Sequence, residues 1–204
     1  MNNIIESTSN TVEIPSLLQN KTVKKLSFTN EGVTIEKPLS FDPSVFISAE
    51  NISAFRYGVK FTRGYRFVIG RRYFIEIKDL QNNILNVKLK SYYGIRREAY
   101  AKAWSETINQ LWGNYFGKIL EHQIELYNTN QAFEFAGIRF LYDGISWDTK
   151  NKLLWEEIAL SNYQTYFMIH HAQNPKQHKG FNFANDWNAL ILQYLLKHII
   201  GKHK

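Results

Sequence analysis

The chain has 204 residues, of which 44% are hydrophobic and 21% charged, and its formal net charge is +7. This composition excludes a wholly disordered chain, and the absence of cysteine excludes a disulfide framework, a thiolate zinc site and a cysteine nucleophile. The N-terminal sequence MNNIIESTSN has neither the basic start nor the apolar run of a secretory signal. The longest apolar stretch, 191–200, is interrupted by polar residues and is too short to span a bilayer. We therefore expect a cytoplasmic protein.

The excess positive charge lies in the first half of the chain. Residues 1–118 contain 17 of the 25 basic and 10 of the 18 acidic residues, so residues 119–204 hold eight of each. A basic half followed by a neutral half predicts two units with different surfaces. We assign residues 1–20 to an N-terminal arm, in which 12–14 can join a sheet edge, 21–118 to a first unit and 119–204 to a second.

A short internal repeat predicts a β-hairpin near the start of each unit. The segments LSFTNEGVTI at 26–35 and IRFLYDGISW at 138–147 share apolar residues and an acid–glycine pair at the same offsets. Alternating apolar residues on both sides of an acid–glycine pair are typical of two strands and their turn. Residues 48–52 correspond in the same way to 154–158, and each segment leads into an aromatic-rich strand.

Four further strands are predicted in the first unit, over residues 52–61, 65–69, 72–78 and 84–90, with turns near Gly64, at Gly70 and at 81–83. Because strand side chains alternate between faces, one face should be apolar and the other cationic, with Glu76 as its main acid. Arg71 falls on the apolar side, which predicts a bulge near Gly70. The predicted apolar face consists of Phe55, Tyr57, Val59, Phe61, Tyr65, Phe67, Ile69, Tyr73, Ile75, Ile77, Leu85, Val87 and Leu89.

Each unit is predicted to end in an amphipathic helix. The first helix should cover about residues 96–116, where apolar residues recur at spacings of three and four. The second should begin near Asn185 and Asp186, which are suitable N-cap residues. The first helix is apolar over more than one stripe, including Trp104 and Trp112. We therefore expect one arc to pack on its own sheet and another to pack against the second unit or a sister chain.

This order of strands and a closing helix, found twice, resembles the pleckstrin-homology (PH)-like superfold, in particular bacterial PH-like domains. The resemblance covers about residues 20–200 and is carried by GVTI at 32–35, AENI at 49–52, GISW at 144–147, WEEI at 155–158 and the terminal Trp-bearing helices. It implies an α+β fold of two tandem PH-like units, each an antiparallel strand meander or partly open barrel closed by a C-terminal amphipathic helix. Since this superfold is mostly non-catalytic, the resemblance implies a non-enzymatic binding or scaffold module. The loop at 29–32 is acidic, whereas PH domains that bind phosphoinositides carry cations there, so inositol-phosphate binding is not implied.

The cations of the predicted meander are the candidate binding site, because Lys and Arg on a rigid sheet can hold anionic groups. The candidate residues are Arg56, Lys60, Arg63, Arg66, Arg72, Lys88 and Lys90. The alternative is a solvated sheet face whose charges prevent edge pairing. A protein is the expected partner, and anionic membrane lipid and nucleic acid are the alternatives. Nucleic acid ranks below lipid because the aromatic residues are predicted to face away from the arginines, where they cannot form a stacking platform.

No cofactor, metal or catalytic constellation is predicted, and the oligomeric state is left open. His170 and His171 are neighbours in a predicted strand and point to opposite faces, so they cannot readily share one ion. The pair Glu156-Glu157 precedes a strand in the same way as Glu50-Asn51. A catalytic pair would not need a copy, so a structural role is expected for these carboxylates.

Overall fold

The computed structural model describes residues 10–17, 22–36 and 44–203, without the side chain of Val23. Residue contacts divide the chain into two compact units, Met1–Gly117 and Lys118–Lys204. Each unit is α+β, with antiparallel sheets and a helix at its C-terminal end. The described strands pair as four open sheets and form no closed barrel. The antiparallel α+β class is therefore confirmed, and the barrel is not.

The first sheet of the first unit has four antiparallel strands in chain order. Its strands are β1 (Asn10–Pro15), β2 (Thr22–Phe28), β3 (Gly32–Glu36) and β4 (Ser44–Ser48). Every second side chain is buried, as in Leu26 and Phe28 of β2, because one face packs on the core. Val12 and Ile14 are buried in β1, which pairs with β2 at the sheet edge. The expectation that residues 12–14 join a sheet edge is confirmed.

The second sheet of the first unit has three strands where the sequence predicted four. A 3-10 turn, Ala49–Asn51, leads into β5 (Ile52–Arg63), followed by β6 (Val68–Asp79) and β7 (Ile84–Tyr92). The pairing of β5 with β6 ends at Arg63 and Val68, and Gly64 N–H donates to the Phe67 carbonyl 2.8 Å away. The predicted strand 65–69 and the predicted turn at Gly70 are therefore wrong. Residues 64–67 form the turn, and Gly70 is a buried residue of β6.

The helical segment after β7 is longer than predicted. It consists of α1 (Arg97–Leu111), a π-helical turn (Trp112–Phe116) and α2 (Gly117–Asn128). Gly117 has right-handed helical angles, so it does not end the helix. The indole N–H of Trp104 donates to the Phe74 carbonyl (3.1 Å), and that of Trp112 donates to the Tyr57 hydroxyl (3.2 Å). Both indoles thus contact their own sheet, and packing against the second unit or a sister chain stays a prediction.

Tyr115 in the π-helical turn holds the β2–β3 hairpin to the helix. Its hydroxyl oxygen accepts a hydrogen bond from Thr29 N–H (3.2 Å) and lies 2.7 Å from the carbonyl oxygens of both Thr29 and Gly32. Burial raises the pKa of the Tyr115 phenol, because a phenolate in this position would lose its hydration, and the hydrogen bond from Thr29 N–H offsets part of this rise.

Removal of this hydroxyl is expected to destabilise the first unit. Tyr115→Phe should lower the free energy of unfolding by about 1–2 kcal/mol, since it deletes a partly buried hydrogen-bonding group. Because the folded-state pKa lies above the unfolded value of about 10, the hydroxyl's contribution is complete below pH 10 and is lost as the pH rises further. Urea unfolding between pH 7 and 11 measures both effects. Tyr93→Phe, at an exposed tyrosine, is the matched control, and equal losses in the two variants would contradict the assignment.

The second unit has the same order of elements: four strands, three strands and a helix. The four-stranded sheet contains β8 (Phe133–Phe135), β9 (Ile138–Leu141), β10 (Gly144–Ser146) and β11 (Lys152–Leu154). A 3-10 turn (Trp155–Glu157) precedes the three-stranded sheet of β12 (Ile158–Asn162), β13 (Tyr166–His171) and β14 (His178–Asn182). The core lies between these strands and α3 (Ala189–Lys202), and Leu120, Ile124 and Tyr127 of α2 pack against it.

The N-cap of helix α3 is Asn188, two to three residues after the predicted N-cap residues Asn185 and Asp186. The Asp186 carboxylate accepts a hydrogen bond from Asn182 N–H (2.7 Å), so it closes the preceding turn instead of capping the helix. Asn188, with φ of 57°, directly precedes Ala189. Leu192, Leu195, Leu196 and Ile199 are buried. Over the described part of the chain, no helix combines the length and the apolarity that crossing a bilayer requires.

Candidate binding surface

Three predicted site residues form a row across the three-stranded sheet of the first unit. Lys60 of β5 is the register partner of Arg72 of β6, and Arg72 is the register partner of Lys90 of β7. Directly paired residues project from the same face, and neighbouring strands are about 4.8 Å apart. No ion pair joins any of the three to another described residue. We call Lys60, Arg72 and Lys90 the cation row.

The other rows of this face are arranged differently. Arg56 is paired with Glu76, with Nε 2.7 Å from Oε2, and both side chains are largely buried. Lys88 is exposed and is the register partner of Phe74, a buried ring over which the Lys60 ammonium lies at 5.1 Å. Arg56 is therefore already neutralised, whereas Lys88 extends the positive charge beside the cation row.

Arg63 and Arg66 lie apart from the cation row. A register shift between Thr62 and Arg63 ends the regular pairing, and Arg66 belongs to the turn at 64–67. The shift lies opposite Ile69, so the predicted bulge near Gly70 is present. Arg71 is the register partner of Phe61, and its guanidinium lies 5.3 Å from the Phe61 ring. The seven predicted site residues thus divide into a row of three, its neighbour Lys88, a neutralised Arg56, Arg63 at the end of β5 and Arg66 in the turn.

The turn at 64–67 also exposes apolar side chains that the sequence assigned to the core. Tyr65 is 93% exposed, Phe67 66% and Phe61 56%. The prediction that these rings pack in the core is wrong: Tyr65 and Phe67 lie in the turn beyond the last strand pair, and Phe61, although paired with Arg71, lies near the end of the β5–β6 pairing. Val68 is exposed beside them, as are Tyr93 and Ile95 in the segment that follows β7. We call Phe61, Tyr65, Phe67, Val68, Tyr93 and Ile95 the tip patch.

The two segments of the tip patch are joined through the backbone. Tyr93 N–H donates to the Ile69 carbonyl at 2.9 Å. A cavity of about 190 Å³ lies beside them, and its lining includes Arg71, Tyr93 and Arg97. Sequence reasoning missed these residues. The available signal was the segment Arg63-Gly64-Tyr65-Arg66-Phe67, in which arginines and aromatic residues surround a glycine. A turn at this glycine places the neighbouring side chains at the surface.

His170, His171 and Glu157 of the second unit are engaged in local structure. His170 Nε2 lies 3.0 Å from Ser161 Oγ, and His171 Nε2 lies 3.6 Å from a carboxylate oxygen of Glu157. The other oxygen of Glu157 accepts a hydrogen bond from Leu154 N–H (2.9 Å) across the 3-10 turn, which is a structural role of the kind predicted. Among the residues that the structure describes, no group of three or more potential ligands is arranged to hold a metal ion.

A cavity of about 460 Å³ in the second unit is lined by Tyr127, Asp143, Trp155 and His203, among others. The Trp155 and His203 rings stack at 5.5 Å, and the Tyr127 hydroxyl lies 2.7 Å from His203 Nε2. Asp143 is bonded to Lys152 at 2.6 Å, and this ion pair lowers the pKa of its carboxyl. Tyr127 is thus paired with His203 and Asp143 with Lys152, so these four side chains are already engaged within the unit.

Comparison with known proteins finds no matching family model and no similar curated protein. The surface is therefore interpreted from the chain's own residues.

Proposed function

We propose that this chain is a non-enzymatic binding module and that the first unit docks onto an anionic surface through its cationic sheet face. The observation that carries the proposal is the cation row, in which Lys60, Arg72 and Lys90 are direct register partners. Lys88 adds a fourth cation on the same face. An acidic protein surface and an anionic lipid surface both fit this charge pattern.

The cation row destabilises the sheet when no partner is bound. Like charges placed directly opposite each other in neighbouring strands are destabilising. The same face contains the alternative solution four residues along each strand, where Arg56 faces Glu76 across the same pair of strands and forms a close ion pair. A face that was merely solvated could place an acid at position 72 as well. An anionic partner would offset the repulsion, because it would be attracted by all three cations at once.

Arg72→Glu tests whether the cation row lowers the stability of the sheet and promotes binding to an anionic surface. The new carboxylate would face Lys60 on one side and Lys90 on the other, and each opposite-charge pair contributes about 0.2–1 kcal/mol. We expect the melting temperature to rise by about 2–4 °C, given about 1 kcal/mol of added stability in a chain of this size. Binding to polyglutamate or to phosphatidylglycerol vesicles should fall at least about fivefold, since each cation near an anionic surface contributes about 1 kcal/mol.

Lys102→Glu is the matched control, because it makes the same change in net charge on an exposed face of α1. It should reduce binding little and lower stability slightly by loss of the pair with Glu106. Unchanged binding by Arg72→Glu, or equal losses in the two variants, would remove the cation row as the binding site.

The chain also fits a scaffold of two PH-like copies, in which the neutral second unit serves mainly as a structural partner. Supporting this interpretation, each unit contains a four-stranded sheet, a 3-10 turn, a three-stranded sheet and a following helix. The 3-10 turns are held alike, since Ala49 N–H donates to the Glu31 carbonyl and Trp155 N–H to the Asp143 carbonyl.

A further inference from the structure

The tip patch is an unusual concentration of exposed apolar surface. Single exposed apolar side chains are common on proteins, whereas contiguous groups of them mark interaction sites. Here the β5–β6 turn and the segment after β7 together expose four aromatic rings, Val68 and Ile95. Backbone hydrogen bonds close the turn at Gly64 and tie Tyr93 to Ile69, so these side chains are held at one end of the sheet.

The chain segments that carry the tip patch contain several cations and no acid. Residues 51–75 contain no acid, and neither do residues 80–97. Arg63 and Arg66 lie in or beside the turn, and Arg71 and Arg97 line the adjoining cavity. The cation row begins one residue before Phe61 along β5. A partner of this end must therefore accept apolar side chains and carry negative charge around them.

An anionic membrane meets both conditions without a shaped pocket. Tyrosine rings favour the headgroup level of a bilayer, aliphatic side chains favour the acyl boundary, and arginines are attracted to anionic lipids. A single-stranded nucleic acid fits less well. The Arg66 guanidinium already lies 5.4 Å from the Tyr65 ring and that of Arg71 lies 5.3 Å from the Phe61 ring. Val68 and Ile95 have no ring on which a base could stack.

We infer that the tip patch inserts into the headgroup and upper acyl region of an anionic lipid membrane while the neighbouring cations contact the headgroup phosphates. This inference rests on the proposed function and names the anionic surface as lipid. The cavity lined by Arg71 and Arg97 is placed to receive a headgroup phosphate beside the inserted rings. Cations alone give a salt-sensitive attraction, and the inserted side chains add a component that salt does not screen.

The absence of cysteine from the chain allows a direct test of insertion. A single cysteine is introduced as Phe67→Cys or, at the opposite end of β6, as Leu80→Cys, and each is labelled with an environment-sensitive fluorophore. Both native side chains are exposed, at 66% and 63%, so neither change should perturb folding. With phosphatidylcholine vesicles containing phosphatidylglycerol, the label at position 67 should shift to the blue and that at position 80 should not. Vesicles of phosphatidylcholine alone should produce no shift.

Vesicle sedimentation of unlabelled variants measures the energetic role of the tip patch. Tyr65→Ser/Phe67→Ser should weaken binding to the anionic vesicles at least about tenfold, because two large side chains lose their burial. Leu80→Ser/Ile84→Ser, which removes exposed apolar residues at the opposite end of the sheet, should bind as the wild type does. The melting temperatures of both double variants are compared with that of the wild type to establish that they fold.

The outcomes separate this inference from the proposed function. Vesicle binding without a spectral shift at position 67, or binding to polyglutamate but not to vesicles, overturns insertion and leaves the anion-binding function standing. Loss of single-stranded RNA binding in the tip variant, in the absence of vesicle binding, overturns insertion in favour of nucleic acid. Failure to bind vesicles, polyglutamate and RNA at low salt overturns both proposals.

Discussion

Gly144→Ala is expected to unfold the second unit or to cost it more than about 3 kcal/mol of stability. A Cβ at position 144 would overlap the carbonyl oxygen of Leu153 and lie 2.9 Å from the Cα of Leu154. These are backbone atoms of β11, so no side-chain rotation relieves the clash. The strand β10 pairs with both β9 and β11, and separating β10 from β11 would detach the edge strand β11, which carries the buried Leu153, from the sheet.

Gly201→Ala is the matched control for this substitution. Gly201 lies near the end of α3, and a Cβ there meets no atom within 4 Å. Alanine is favoured over glycine in a helix by about 0.5–1 kcal/mol, so this variant should be slightly more stable than the wild type. Urea unfolding followed by circular dichroism compares the two variants. Equal midpoints for Gly144→Ala and the wild type would show that β10 and β11 do not approach as closely as described.

The same glycine requirement recurs in the first unit, where a Cβ on Gly32 would overlap the carbonyl oxygen of Ile47. The sequence repeat identified both glycines and interpreted them as turn residues. Both instead occupy the first position of a strand, at β3 and β10. The backbone carbonyls of the preceding residues, Glu31 and Asp143, explain the close approach. They accept hydrogen bonds from the 3-10 turns at Ala49 and Trp155, which brings the backbone before each turn close to the glycine. The repeated acid–glycine pair therefore marks a contact between the start of a strand and a 3-10 turn that lies farther along the chain.

The alternation of side chains between the two faces predicted which residues are buried in the middle of the three-stranded sheet, but not which are buried at its ends. Phe55, Tyr73, Ile75 and Leu89 are buried, as their parity requires. Tyr65 has the same parity and is exposed, because it lies in the turn beyond the last strand pair. Parity assigns a face only while pairing continues, and a face is not burial, since Phe61 is still paired with Arg71 and is nevertheless exposed. Where pairing stops depends on the register of β5 with β6, which is a long-range property.

The candidate site shows the same division between local and long-range information. The sequence placed Lys60, Arg72 and Lys90 on one predicted face, since face follows from strand parity. That the three are direct register partners required the pairing itself. The pairing of Arg56 with Glu76 likewise depends on register, and it removes Arg56 from the free cations. The predicted helix ended at about residue 116, whereas the helical segment continues through Gly117 to Asn128.

Phe116→Ala and Phe67→Ala should differ strongly in their effect on the free energy of unfolding, although both delete a phenyl ring from the first unit. Phe116 is fully buried, stacks on Phe55 with ring centroids 3.4 Å apart and meets the Trp112 ring edge-on at 5.9 Å. Its removal should leave a cavity that the surrounding rings cannot fill, at a cost of about 3–5 kcal/mol. Since small proteins are stable by only about 5–15 kcal/mol, this loss would lower the unfolding midpoint severely.

Phe67→Ala should change the free energy of unfolding by less than about 0.5 kcal/mol, because the ring is two-thirds exposed and contributes little to the core. Urea unfolding and vesicle sedimentation of the two variants give opposite expectations: the exposed ring is needed for membrane binding, and the buried ring for folding. A large stability loss in Phe67→Ala would return this residue to the core and remove it from the tip patch. A phenylalanine at such an exposed position, between Arg66 and Arg71 in a segment without acids, is more readily explained by a partner than by the fold.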